Sequence, residues 1–254
     1  MKVVFVHGFL GSALNWQPIV EKMKKRIPKD IGYSFQAIDL LGHGQKSDAR
    51  RSDLKLEDLA EDFLKEVGSE PFIAVAHSFG LRPVLKLVSL KSQHLPQALI
   101  VEDSSPTVSE RGFEELKRIF EDVPVPFDSR EAAKQALEKI FGEQSKMARF
   151  LMTSIREISP GVHSWRFNKE AMYGLLKEGF NNPMWSEWEA YPGPVYLILG
   201  GDSSFVPKER RQEMVERRKG LITESIQIAQ SGHWVHADQP DIFADELSKI
   251  LKNY

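Results

Sequence analysis

Ser78 sits in Ala76-His77-Ser78-Phe79-Gly80, between the apolar run Phe72-Ile73-Ala74-Val75 and a helix-like apolar run from Leu81 to Leu90. Strand, small-x-Ser-x-Gly, helix is the pattern of a strained turn that presents a serine hydroxyl as a nucleophile. Residues two before and two after the serine crowd together in such a turn, and Ala76 and Gly80 are small enough to do so. A serine hydroxyl is weak by itself. It needs a base to take its proton and donors for the oxyanion that forms when it attacks a carbonyl. Gly232-His233-Trp234 supplies a histidine after the alternating stretch Ser225-Ile226-Gln227-Ile228-Ala229. His7-Gly8-Phe9-Leu10-Gly11-Ser12 follows Val3-Val4-Phe5-Val6 and offers a glycine-flexed loop. Its backbone N–H at Phe9, with Leu10 as the alternative, would form an oxyanion hole with the N–H of Phe79. The chemistry predicted is acyl transfer through Ser78, with His233 passing its proton to the leaving group.

Those three segments must all stand at strand ends. Strand-like runs at Lys2–Val6, Tyr33–Ile38, Phe72–Ala76, Ala98–Val101, Pro194–Leu199 and Glu224–Ala229 alternate with helical ones, which predicts a mostly parallel α/β sheet of about six strands covered on both faces. Between Asp103 and Pro194 no strand signal appears. Ser109–Glu121, Arg130–Phe141, Gln144–Glu157 and Lys169–Glu178 read as amphipathic helices. The expected organisation is a core of residues 1–103 and 194–254, with residues 104–193 inserted as a helical cap. Nucleophile first and histidine last, each after a strand, is the order of the α/β hydrolases, and the chain resembles that superfamily over nearly its whole length.

The acid that should orient His233 has two candidates. Members of the superfamily usually carry it as Gly-x-x-Asp after the strand that here is Val195–Leu199, but Gly200-Gly201-Asp202-Ser203 puts serine at that position and Asp202 one residue early. Asp103, at the end of the preceding core strand in Val101-Glu102-Asp103-Ser104-Ser105-Pro106, can reach the same imidazole. The Val-x-Asp-x-x-Pro setting of Asp103, Trp165-Arg166-Phe167-Asn168, Gly200-Gly201-x-Ser203-x-Phe205-Val206 and Gly232-His233-Trp234-Val235-His236-Ala237 together resemble the small bacterial acyl-CoA esterases and their mitochondrial abhydrolase relatives. That resemblance implies Ser78, Asp103 and His233 as the working residues and Ser203 as an auxiliary hydrogen-bonding partner. It also implies a serine esterase or thioesterase acting on short to medium acyl groups, acyl-CoA among them.

Other residues could shape a substrate site. His77 adjoins the nucleophile, Arg82 lies one helical turn beyond it, and Leu10, Trp165 and Trp185 are candidates for an acyl pocket, which is apolar with few polar anchors. Arg82 opens a second function, because the menaquinone-pathway synthase of this fold has an arginine at the matching spacing that binds a substrate carboxylate during proton abstraction and loss of pyruvate. A third function is a non-catalytic ligand-binding protein built on the same fold. His43 and Asp39, in Asp39-Leu40-Leu41-Gly42-His43-Gly44, read as scaffold, and His236 as a weaker competitor for the role of base.

Composition narrows the context. The 254 residues, 41% hydrophobic, bury one substantial core, and 34 basic against 36 acidic side chains give a net charge of -2. Neither nucleic acid nor an acidic membrane surface is expected as a partner. The partner expected is a small acyl ester or thioester. With no cysteine there is no disulfide, thiolate metal site or cysteine nucleophile. No cofactor or metal is implied, no run reaches membrane-helix length, and a cytoplasmic location is the expectation.

Overall fold

The computed structural model describes residues 1–28, 31–47, 53–108, 110–180, 182–218, 220–221 and 223–254. From the N-terminus, β1 (Lys2–Val6), α1 (Gln17–Arg26), β2 (Ser34–Ile38), α2 (Leu56–Val67), β3 (Phe72–His77), α3 (Leu81–Ser89) and β4 (Ala98–Glu102) alternate. The chain then leaves the sheet through α4 (Glu110–Asp122), α5 (Arg130–Phe141) and α6 (Lys146–Thr153). A hairpin of β5 (Ile155–Ser159) and β6 (Val162–Trp165), then α7 (Lys169–Gly179) and α8 (Trp185–Ala190), lead back. β7 (Val195–Gly200), α9 (Lys208–Glu216), β8 (Thr223–Ile228), the single turn α10 (Val235–Asp238) and α11 (Pro240–Leu251) complete the fold.

Six strands form one parallel sheet in the order β2-β1-β3-β4-β7-β8. Alternation along each strand sends side chains to two cores. Val4, Val6, Ala74, Ala76, Leu99 and Val101 face α2, α3 and the inserted segment. Val3, Phe5, Ile73, Val75, Ile100 and Ile198 face α1 and α11. The register carries the functional consequence. Val6 pairs with Ala76, His77 with Glu102, and Glu102 with Ile198, so the carboxyl ends of four adjacent strands lie level. Ser78 and Asp103 therefore leave neighbouring strands at the same height, in the crevice where open α/β sheets place ligands.

The expectation of an all-helical insertion is corrected by the antiparallel β5–β6 hairpin. The helix expected over Gln144–Glu157 ends at Thr153, where the Ser154 hydroxyl donates to the Leu10 carbonyl at 2.6 Å. Gly161, at φ +75°, closes the hairpin turn, and its N–H donates to Glu157 Oε1 at 2.8 Å. A two-stranded ribbon is marginal alone. Burial of Ile155 and Trp165 at its base holds this one. The expected start of α4 at Ser109 lies outside the described residues. Among the described residues, no helix is long and apolar enough to cross a membrane.

Candidate active site

The turn after β3 has the strained backbone its sequence predicts. Ser78 sits at φ +51°, a region that residues with a Cβ rarely occupy. Gly80 is required because a Cβ there would lie 2.7 Å from the carbonyl oxygens of both Val6 and His7. The loop after β1 packs on this turn equally closely. A Cβ on Gly8 would lie 2.8 Å from His77 Nδ1 and 3.2 Å from Ser78 Cβ.

Two buried histidines set the shape of that loop. His7 donates from Nδ1 to the Gly8 carbonyl at 2.8 Å and accepts the Leu40 N–H on Nε2 at 3.0 Å. His43 donates from Nδ1 to the Leu41 carbonyl at 3.2 Å and accepts the Leu10 N–H on Nε2 at 3.2 Å. Burial pushes His7 below the ordinary histidine range and His43 well below it, so both hold the loop as neutral rings. Leu10, at φ +62°, has its N–H committed to His43 and its carbonyl to Ser154. The Leu10 alternative for the oxyanion hole is thereby removed. The Phe9 N–H has no acceptor among the described residues, and Phe79 follows Ser78 at the head of the helix.

At the neighbouring strand end the structure brings Asp103, not Asp202, to the imidazole. Asp103, at φ +40° and buried, accepts from His233 Nδ1 at 2.8 Å and from the Ser203 hydroxyl at 2.5 Å through Oδ2. Its Oδ1 takes the Gly200 N–H at 3.1 Å. Asp202 is exposed and donates its N–H to the Ser231 carbonyl. In the neutral ring, a proton on Nδ1 shared with the carboxylate leaves Nε2 as an acceptor, the form in which a general base acts. Phe205 stacks on the His233 ring with centroids 3.7 Å apart, and the His233 carbonyl accepts from His77 Nε2 at 3.0 Å. Burial, with His233 and His236 nearby, holds His77 well below the ordinary range, so it too stays neutral. His236 is not in the pocket. It pairs with Glu102 and stacks on Trp16.

Ser78, His233, His77, Phe9 and Phe79 line one pocket together with Arg82. Leu10, Trp165 and Trp185, expected to line it, do not. Trp165 stacks on Phe167 inside the cap core, and Trp185 lies outside between Arg210 and Arg217, 5.5 and 4.5 Å from their guanidinium carbons. The walls include instead Phe180, Phe205, Trp234, Met147 and Phe150. Phe205 and Trp234 stood in motifs already noted, beside Ser203 and His233. Phe180 and the α6 residues carried no such signal. Among the described residues, no cluster of His, Asp or Glu is arranged to hold a metal ion.

A family model described as the alpha/beta hydrolase family matches residues 3–246. The chain belongs to the α/β hydrolase family. Its relatives include mouse sn-1-specific diacylglycerol lipase ABHD11, 27% identical across 98% of this chain and 80% of that protein. Escherichia coli esterase YbfF is 20% identical, covering 99% and 93% respectively. Among solved structures of α/β hydrolases, E-2-(acetamidomethylene)succinate hydrolase superposes with a TM-score of 0.78 at 17% identity, covering 99% of this chain and 91% of that one. Mycobacterium tuberculosis esterase Rv0045c superposes with a TM-score of 0.70 at 20% identity, covering 99% and 84%. At these identities the structural likenesses establish the fold, and the hydrolase core they share is the one described here.

Proposed function

We propose that this α/β hydrolase cleaves short to medium acyl esters or thioesters, acyl-CoA among them, through an acyl-serine intermediate. The observation that carries the reading is the bond of Asp103 to His233 Nδ1 in the pocket that also holds Ser78. The relatives named as esterases and lipases support the same class of reaction.

Ser78 Oγ attacks the substrate carbonyl while His233 Nε2 takes its proton. The oxyanion is held by the N–H groups of Phe9 and Phe79, each such donor being worth about 10²–10³ in rate. Collapse breaks the bond to the alcohol or thiol, which leaves with the proton from His233. Water then repeats the sequence on the acyl-serine and releases the acid. Asp103 keeps the imidazole in the Nδ1–H tautomer and offsets the charge of imidazolium, and Ser203 fixes the carboxylate. Residues 104–193 act as the cap that shapes the acyl site.

A second reading is favoured by Arg82. Its side chain is buried in the pocket wall, Nη2 donates to the Asn182 carbonyl, and Nε and Nη1 have no hydrogen-bond acceptor among the described residues. Burial lowers its pKa to about 10, which leaves it a cation at neutral pH. A buried cation with unused hydrogen-bond donors is costly, and a substrate carboxylate would relieve it. This serves an ester bearing a carboxylate, and equally the synthase-like abstraction and elimination.

Hydrolysis of p-nitrophenyl butyrate by wild type and Ser78→Ala, both checked for folding, tests the first reading. Turnover that falls by at least about 10⁴-fold in the variant supports it. No turnover by folded wild type shifts the assignment to the synthase-like or the non-catalytic reading.

A further inference from the structure

We infer that Glu102 is a positioning residue for His233, acting through His236 and the turn that carries both histidines. The inference rests on the hydrolase reading above.

Glu102 ends β4 and is fully buried, level with His77 on β3. Its carboxylate accepts the His236 backbone N–H at 2.7 Å, and both its oxygens lie 2.8 Å from His236 Nδ1. One residue further on, Asp103 accepts from His233 at 2.8 Å. Two consecutive carboxylates on one strand end thus grip two histidines three residues apart, and both rings lie beside His77, with centroids 4.7 and 5.3 Å from its own. Neither Glu102 nor His236 lines the pocket, so their pairing makes no contact with substrate.

The turn needs such a tie. α10 is only four residues long, too short to gain stability from helix formation itself. Its place against the sheet is set by what anchors it. His77 holds the His233 carbonyl, and Glu102 holds the backbone N–H three residues later. Trp16 stacks on His236 at 4.4 Å, which leaves that ring little room to swing. A buried carboxylate paired with a histidine adds little stability over an apolar pair of similar volume, so what this one supplies is registry. The registry concerned is the aim of His233 Nε2. A misplacement of about 1 Å in such a group costs about 10²-fold in rate.

The test compares Glu102→Ala and Glu102→Gln with wild type on p-nitrophenyl butyrate, with competent sites counted by stoichiometric reaction with paraoxon. Glu102→Ala is expected to lower kcat per titrated site by about 10²-fold with KM within about twofold. Glu102→Gln is expected to recover most of that loss. Its amide oxygen accepts the His236 N–H, and its NH₂ donates to Nδ1 once His236 takes the other tautomer. If Glu102→Ala does not fold, Glu102→Leu combined with His236→Leu replaces the pair by packed apolar groups, and the same loss of kcat is expected. Unchanged kcat per titrated site in a folded variant, or a change confined to KM, overturns the inference. A second readout does not need turnover. The downfield proton resonance of the Asp103–His233 hydrogen bond should be sharp in wild type and Glu102→Gln, and broadened or absent in Glu102→Ala. A sharp resonance in all three overturns the inference, whereas inert wild type with the expected resonance pattern sinks only the hydrolase reading.

Discussion

The end of β4, whose Asp103 reaches the pocket and whose Glu102 lies behind it, and the Arg82 corner are two polar regions finished to different degrees. At β4 the buried carboxylates are saturated: Asp103 takes Gly200, Ser203 and His233, and Glu102 takes His236 twice over. At Arg82 a buried guanidinium has two nitrogens with no hydrogen-bond acceptor among the described residues. Arg82, Glu102 and Asp103 are all buried, so burial alone does not explain the contrast. Groups that must be aimed before substrate arrives are satisfied by protein, because a half-satisfied network wanders. A group that waits for substrate is left open, and the free protein carries its desolvation cost until a partner arrives. On the proposed function, the comparison sets residues that would orient the chemistry against one that would choose a substrate.

The largest expected effect breaks the saturated side. Asp103→Asn should lower kcat for p-nitrophenyl butyrate by about 10⁴-fold, because the amide no longer enforces the Nδ1–H tautomer of His233. Asp202→Asn, an exposed change, should leave kcat within about threefold. The reverse pattern would transfer the acid to Asp202.

Acid should weaken the neighbouring turns through their neutral rings. Burial holds His7, His43 and His77 below the ordinary value of 6.5, so below that pH the unfolded chain binds protons that the folded protein refuses. Stability from these three is complete above the unfolded value and is lost as pH falls below it, by at most about 1.4 kcal/mol per pH unit for each histidine. Urea midpoints at about pH 7.5 and about pH 5.5 should therefore decrease in that order. A midpoint that rises on acidification would contradict the assignment of neutral rings.

The smallest effect sharpens the open side. For an ester bearing a carboxylate, the ratio of kcat/KM for the p-nitrophenyl half-ester of glutaric acid to that for its methyl-capped diester should fall about tenfold in Arg82→Met. An unchanged ratio would remove Arg82 from substrate recognition.

The sheet was legible because its signal is simple. Short β-branched runs bounded by turns gave six strands, with their ends displaced by one or two residues at most. Ser78 and His233 were legible because each follows a strand in a short motif. The choice between Asp103 and Asp202 was open in the sequence, since it depends on which strand end lies level with the histidine turn, a matter of register between strands far apart in the chain. The β5–β6 hairpin escaped because Ile155-Arg156-Glu157-Ile158-Ser159 lacks clean alternation, although Pro160-Gly161 offered a turn signal. The cap aromatics misled for a related reason. Trp165 and Trp185 are large and apolar, but which way a cap helix or ribbon faces is decided by its packing on the core, not by its composition.

The cap is fastened to both loops that frame Ser78. Ser154, at the end of α6, bonds the Leu10 carbonyl, while Lys146, at its start, pairs with Asp238, whose carboxylate also takes the Gly232 N–H beside His233. One eight-residue helix thus spans the oxyanion loop and the histidine loop like a crossbar. A substrate wide enough to lift that crossbar would slacken both loops together.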